Sequence, residues 1–200
     1  MKRLFLITLL CFLAFCSITD ARMLQGVAGA TTACTTSNYS KLWNPVTQPG
    51  TTQSGIVMKA IKFTTALSKD ITAYKIRECE NSGNNTGNGI ARIITHDSGN
   101  DWPSLSGSTP VAVPNSSSNT FPTSSMSDCA TTQVDEYTLA STLTLAAGTY
   151  WLLLESQGTV AIDGLYAAST GDRVCYKGAA DTSWTCVDNT MYDMELWGCD

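Results

Sequence analysis

His96 is the only imidazole in the chain. It opens the run His96-Asp97-Ser98-Gly99-Asn100-Asp101-Trp102, where several chemistries could begin. Nucleophilic catalysis of the Ser-His-Asp or Cys-His kind would have to use this ring, with Asp97 and Ser98 as its neighbours in sequence. Adjacency along the chain is not a triad, and a histidine at a strand end beside a loop is more often an ordinary polar residue. No GxSxG, HExxH or phosphate-binding glycine loop occurs. The same run offers Asp97, Asn100 and Asp101 as clustered oxygen ligands for a hard cation such as a structural calcium. Their spacing does not follow an EF-hand loop, and DSGND is also a plain turn sequence. No other cofactor is expected.

Paired carboxylates are the more serious enzymatic pattern, since small jelly rolls can hydrolyse glycosides with two acids facing across a concave sheet. Glu78, Glu80, Glu136, Glu155 and Glu195 are available, with Glu155 and Glu195 the least unfavourable pair. Spacing alone does not make them converge, and Glu195 alternates with apolar neighbours as any solvated strand residue would. Trp102, Tyr166 and Trp184 are candidates for a sugar-stacking platform, because the C–H faces of sugars pack on flat aromatic rings. Against that, a loop tryptophan is more often packed than displayed: Trp102 could anchor on Pro103 and Trp184 could cap the core. Asn38, Asn84 and Asn115 lie in N-x-[ST] sequons, which matter only in a host that glycosylates secreted proteins.

The address of the protein is read from its first residues. Lys2 and Arg3 precede an apolar run from Leu4 to about Phe15, and Thr19-Asp20-Ala21 supplies the small residues of a cleavage site. This is the layout of a secretory signal over residues 1–21. The run is shorter than the roughly 20 residues a spanning helix needs. Lipid modification at Cys16 is disfavoured by the bulky Phe15 before it. Cleavage removes two cations and one anion, so the formal charge moves from −5 to −6. The mature chain has no basic block, so no nucleic acid partner is expected and anionic membrane surfaces are poor candidates, since both are bound by clustered Lys and Arg. It also has no apolar run long enough to span a membrane.

Six of the eight cysteines survive cleavage: Cys34, Cys79, Cys129, Cys175, Cys186 and Cys199. There is no CxxC, so the reading is three disulfides in an oxidising compartment rather than a metal site. Connectivity does not follow from sequence. An order of preference does: Cys175 with Cys186 across a short connection, Cys34 with Cys199 near the termini, and Cys79 with Cys129 as the remainder. On the chain-entropy model the short loop contributes at most about 3 kcal/mol and the long one about 5 kcal/mol.

The elements that must position these residues are strands. Residues 22–55 hold turn signals and one edge strand around 36–42, and residues 56–200 form the core. Within the latter, 56–65, 71–80, 90–95, 133–145, 160–166, 173–177, 183–187 and 192–196 alternate or are β-rich. Thr72, Tyr74 and Ile76 are expected on one face of the second of these. Tyr150-Trp151-Leu152-Leu153-Leu154 is apolar on both faces and marks a central strand. Residues 81–89, NSGNNTGNG, are a loop. Residues 97–126, rich in Pro and Ser, read as a long excursion of functional or disordered character. The class is all-β: one antiparallel β-sandwich, jelly-roll-like, of about eight to ten strands pinned by disulfides.

Three stretches resemble bacterial secreted β-sandwich domains of the "choice-of-anchor" type. They are His96 to Pro103, the hairpin Tyr137 to Leu152 with Ala146-Ala147-Gly148-Thr149-Tyr150-Trp151 at its centre, and Trp184 through Asp188 to Leu196. The motifs are turn-and-core patterns that imply the fold and a surface location and bring no catalytic residue. The function expected is a secreted, non-catalytic module that binds an extracellular glycan or a cell-surface component. The alternatives are an envelope-associated structural module without a small ligand, or a small jelly-roll glycoside hydrolase.

Overall fold

Five successive apolar side chains force a strand to bury both faces, because neighbours along a strand point to opposite sides. In the computed structural model this is what 150–154 does. The structure describes residues 34, 40–43, 51–53, 58–79, 88–122, 133–157, 163–192 and 194–199. Its strands are β1 (Ser40–Trp43), β2 (Thr51–Gln53), β3 (Met58–Thr65), β4 (Lys69–Cys79), β5 (Asn88–Asp97), β6 (Trp102–Pro103), β7 (Leu105–Ser106), β8 (Thr109–Pro110), β9 (Phe121–Pro122), β10 (Gln133–Leu145), β11 (Gly148–Gln157), β12 (Asp163–Lys177), β13 (Thr185–Tyr192) and β14 (Met194–Cys199). β11 pairs with β3 on one edge and β5 on the other, and Trp151, Leu152, Leu153 and Leu154 are all buried.

Among the described residues all strand pairings are antiparallel. Twelve strands share one sheet along the path β1-β14-β4-β12-β3-β11-β5-β6, with β10 on β4, β13 and β2 on β12, and β9 on β5. β7 and β8 form a separate two-stranded ribbon. The all-β, antiparallel class agrees with the sequence. The strands exceed the expected eight to ten because the 97–122 stretch adds four two-residue strands, β6 to β9. Among the described residues no helix is long and apolar enough to cross a membrane.

The core has two parts. Ile61, Phe63, Ala91, Ile93, Leu152, Leu154 and Val174 from β3, β5, β11 and β12 meet Ile71, Tyr74, Ile76, Tyr137, Leu143, Leu145, Met194 and Leu196 from β4, β10 and β14. The sheet therefore wraps round a common interior. On the outer side of β3, β5, β11 and β12, a second cluster forms from Met58, Ala60, Ile94, Trp151, Leu153, Cys175 and Trp184. Each fully buried aliphatic side chain contributes roughly 1.5–3 kcal/mol, so burying both faces of β11 makes it the anchor of the fold.

β4 departs from simple alternation. Tyr74 and Ile76 face the interior as expected, but Ile71 rather than Thr72 takes the next inward place. The register slips between Ala73 and Ile71 against both β10 and β14, a bulge that turns Thr72 outward to donate to the carbonyl of Trp197 at 3.3 Å. Gly198 sits at this bulge: a Cβ there would lie 1.9 Å from the Asp70 carbonyl oxygen.

The stretch from 97 onward is not a free excursion in its described part. Its backbone runs along β5: Thr95 N donates to Val111 O, Val113 N to Ile93 O and Ser118 N to Ala91 O. Ser116 Oγ, wholly buried, also accepts from Ile93 N and donates to Ile93 O. The segment thus covers the edge of β5 that would otherwise be open to pairing with another chain. Tyr74 OH donates to Ser116 O at 2.6 Å, and its burial pushes the phenol pKa up.

Two disulfides are present among the described residues, Cys34–Cys199 and Cys175–Cys186. They are the first two pairings the sequence favours, and they fit an oxidising compartment outside the cytoplasm. The Cys79–Cys129 pairing, the leader 1–21, most of 22–57, and Asn38 and Asn84 lie outside the described residues. Asn115 is exposed in a turn with φ 62°.

Candidate functional site

Lys62 and Arg173 stand on the outer side of the sheet because their neighbours on β3 and β12, Ile61, Phe63 and Val174, point inward. Two like charges on one face need a counter-charge, and it comes from the loop after β5. Asp101 Oδ1 accepts from Lys62 Nζ at 2.5 Å, and Oδ2 accepts from Arg173 NH1 at 3.0 Å. His96 Nε2 lies 3.6 Å from the same carboxylate. Arg173 Nε is 3.5 Å from Asp188 Oδ1 on β13, a charge contact rather than an aligned hydrogen bond. The hydrogen bond from Lys62 and the nearby Arg173 charge hold the Asp101 carboxyl below the usual carboxylate range, against partial burial that acts the other way. Asp101 adopts φ 54°, a left-handed conformation that costs a non-glycine residue on the order of 1 kcal/mol and that aspartate tolerates better than most.

His96 is oriented from behind. Trp151 Nε1 donates to His96 Nδ1 at 3.1 Å, with the rings 6.2 Å apart and nearly parallel. An indole N–H can only donate, so Nδ1 is the acceptor and the neutral ring carries its proton on Nε2, toward Asp101. The histidine's carboxylate partner is therefore Asp101 and not its sequence neighbour Asp97. Nδ1 is committed to the indole, while Nε2 stands 3.6 Å from the Asp101 carboxylate, a charge contact beyond hydrogen-bond distance. A triad needs one nitrogen for a carboxylate and the other for a nucleophile, and here the second is taken by an indole.

Asp97 serves the turn. Its Oδ1 accepts from Gly99 N at 2.9 Å, and its Oδ2 accepts from Asn100 Nδ2 at 2.8 Å and Trp102 Nε1 at 2.9 Å. The Asn100 amide first, and then the Gly99 N–H, draw the Asp97 pKa down. The Asp97 and Asp101 oxygens expected to converge on calcium are thus turned toward N–H donors and ammonium and guanidinium groups. That polarity is opposite to what a cation site requires. Among the described residues no group of three His, Cys, Asp or Glu side chains is arranged to hold a metal.

The aromatic trio separates. Trp102 is half-buried, packs against the outer cluster and has its N–H fixed by Asp97. Trp184 is only 5% exposed and belongs to that cluster, with Lys177 Nζ 5.7 Å from its ring centre. As a stacking surface Trp184 is corrected to a core residue: an indole this deep offers no open face to a sugar. Tyr166 lies on β12 opposite Tyr192 and Thr51, and its side chain is outside the described part. Lys177 is itself buried, donates to Ser108 O at 2.9 Å and Gly178 O at 3.0 Å, and has its pKa lowered by burial. It ties the loop around 108 to the same outer face.

The carboxylate pair diverges. Leu154 and Leu196 both line the interior, so Glu155 and Glu195, one residue away on β11 and β14, leave the wrapped sheet outward from different walls. Each has a local partner: Arg92 NH2 for Glu155 at 2.6 Å, and Trp197 Nε1 for Glu195 at 2.6 Å.

What the sequence missed is the set Lys62, Arg173, Asp188 and Trp151. Lys62 is flanked by apolar residues and reads as an ordinary solvated strand position; its partner is 39 residues away, and Arg173 is 72 residues from Asp101. No family model matches the chain, and neither a curated protein nor a solved structure does.

Proposed function

We propose that the mature chain is a secreted, non-catalytic β domain that binds a neutral extracellular glycan, as at a cell surface. Its recognition face is formed by Trp102, Asp97, Asn100, Asp101, Lys62 and Arg173. The observation that carries the reading is the convergence of hydrogen-bonding side chains from β3, β12 and the 97–102 turn beside a half-buried tryptophan. Carboxylate, amide, ammonium and guanidinium groups suit the donors and acceptors of sugar hydroxyls. An indole suits the apolar face of a sugar ring. A neutral polymer is favoured over an acidic one by charge. Asp101 and Asp188 match Lys62 and Arg173, Asp97 adds a further anion, and the whole chain is at −5.

The non-catalytic part of the reading is supported by the His96 Nδ1 taken up by the Trp151 indole and by the diverging Glu155 and Glu195. The two disulfides support an extracytoplasmic location, and the choice-of-anchor resemblance agrees with one. The test is a glycan array probed with the oxidised mature protein, with Trp102→Ala as the site variant and Trp184→Phe as the packing control. Binding to at least one neutral polymer, lost in Trp102→Ala and kept in Trp184→Phe, is the expected result. Binding to no polymer class, or equal binding by Trp102→Ala, overturns the reading.

A further inference from the structure

The chain's single imidazole stands between two partners that favour different charge states. On one side the Trp151 indole N–H donates to His96 Nδ1 at 3.1 Å, a bond that exists only while Nδ1 carries no proton. On the other, Nε2 lies 3.6 Å from Asp101 Oδ1, and a protonated ring is drawn to that carboxylate more strongly than a neutral one. The charged groups around the ring are Lys62 on β3, Arg173 on β12, Asp188 on β13, and Asp97 and Asp101 in the turn. β11 and β6 bring the uncharged Trp151 and Pro103. Histidine is the side-chain type that changes charge between pH 5 and pH 8. Over that range Asp101 stays ionised, because the Lys62 hydrogen bond holds its carboxyl below the usual carboxylate range.

A proton on Nδ1 sets two N–H groups head to head. Trp151 is fully buried and packed in the outer cluster, whereas the His96 side chain is 17% exposed, so the imidazole is the ring that moves. A shift of about 0.8 Å toward Asp101 brings Nε2 within charge-assisted hydrogen-bond distance. A carboxylate has about four lone-pair sites, and Lys62 and Arg173 take one on each Asp101 oxygen. From this arrangement we infer that His96 is an acid-operated gate on Asp101. The neutral ring, held back by Trp151, leaves Oδ1 a lone pair for a sugar hydroxyl; the protonated ring releases the indole and takes that lone pair. The proton comes from solvent, and no other covalent bond changes. Acid therefore weakens the binding of a neutral glycan. That consequence rests on the proposed function, whereas the change of partner at His96 does not.

The experiment takes the oxidised, untagged, ¹⁵N-labelled mature protein from pH 8 to pH 5. Long-range ¹H–¹⁵N spectra report the ring directly, since the chain has one histidine. At the alkaline end they should place the proton on Nε2, and at the acid end both nitrogens should carry one. The Trp151 indole N–H should shift with the same midpoint, and its exchange with water should quicken about tenfold as its bond is lost. His96→Asn, whose amide oxygen can accept from the indole but does not titrate, should hold that resonance constant. On a neutral polymer, wild-type binding should be about three- to tenfold weaker at pH 5 than at pH 8, the loss of one hydrogen-bond site, and His96→Asn should show no such change. A proton on Nδ1 at pH 8, a ring still neutral at pH 5, or an indole resonance blind to the ring's titration overturns the gate, whether or not the variant folds or a polymer binds. Moving spectra with pH-independent wild-type binding overturn its control of the face. Moving spectra with no binding to any polymer support the gate and overturn the glycan reading alone.

Discussion

Gly198→Ala should be among the most damaging single-atom additions to this chain, and its cost follows from the β14–β4 contact. The added Cβ would lie 1.9 Å from Asp70 O and 2.9 Å from both Asp70 C and Ile71 Cα. All three are backbone atoms and cannot rotate away. Ordinary contact begins near 3.4 Å, so β14 must retreat from β4 by about 1.5 Å at the bulge. That retreat breaks the ladder on either side, where Trp197 faces Ala73 and Cys199 faces Asp70. Overpacking of this kind costs roughly 1–3 kcal/mol, and two weakened ladder bonds add about 1 kcal/mol each. The expected loss is about 3–5 kcal/mol, a large share of a stability that for most domains is about 5–15 kcal/mol. Gly107→Ala is the contrasting case: it has φ 64° with nothing within 4 Å of its Cβ position. Only backbone strain of about 1 kcal/mol is expected there. Urea unfolding of both oxidised variants measures the difference. A Gly198→Ala cost at or below that of Gly107→Ala would refute the close approach of β14 to β4.

Four further outcomes are expected. Asp101→Ala should destabilise by about 1–2 kcal/mol, a figure discounted because Asp101 is 39% exposed. Hydrogen exchange should rise around 97–111, and an unchanged exchange profile there would contradict the clamp. Because the folded pKa of Asp101 is depressed, its stabilisation is present above the unfolded carboxylate value and lost as pH falls through the folded one. The wild-type minus Asp101→Ala stability difference should therefore shrink below about pH 4, as read by unfolding at stepped pH. Ser116→Ala removes the hydroxyl that both donates to and accepts from Ile93 in a fully buried site, and should cost about 1–3 kcal/mol in urea unfolding. Paired Cys→Ser replacement should cost at most about 5 kcal/mol for Cys34–Cys199 and about 3 for Cys175–Cys186. The order follows their separations of 165 and 11 residues, and thermal unfolding should reproduce it.

Local patterns were legible wherever a residue's environment is set by its immediate neighbours. The apolar run at 150–154 requires cover on both faces, and it becomes the central strand. Met194 and Leu196 alternate with Glu195 and face inward. Cys175 and Cys186 meet because they flank a short connection, and they pair in register. The misreadings have a different cause. Asp101 reads from sequence as a candidate calcium ligand because nothing nearby in sequence names Lys62 or Arg173 as its partners. The Pro- and Ser-rich 97–122 stretch lacks periodicity because its pairing with β5 runs through backbone groups and the hydroxyls of Ser116 and Ser118 rather than through alternating apolar side chains. Trp184 reads from sequence either as a stacking surface or as a cap on the core, and the outer face of β3, β11 and β12, which has apolar residues to cover, draws it in. Thr72 lost its inward place to a bulge that strand alternation does not encode.

The central claim is that the face around Trp102 and Asp101 reads a neutral glycan. Its most direct measurement is a binding isotherm of the oxidised mature protein on the best neutral polymer from the array, beside the Trp102→Ala and Asp101→Ala variants and at two salt concentrations. The expected result is saturable binding that is nearly independent of salt, at least tenfold weaker in each variant while both remain folded. Binding that collapses with added salt, or that both variants retain in full, would contradict it.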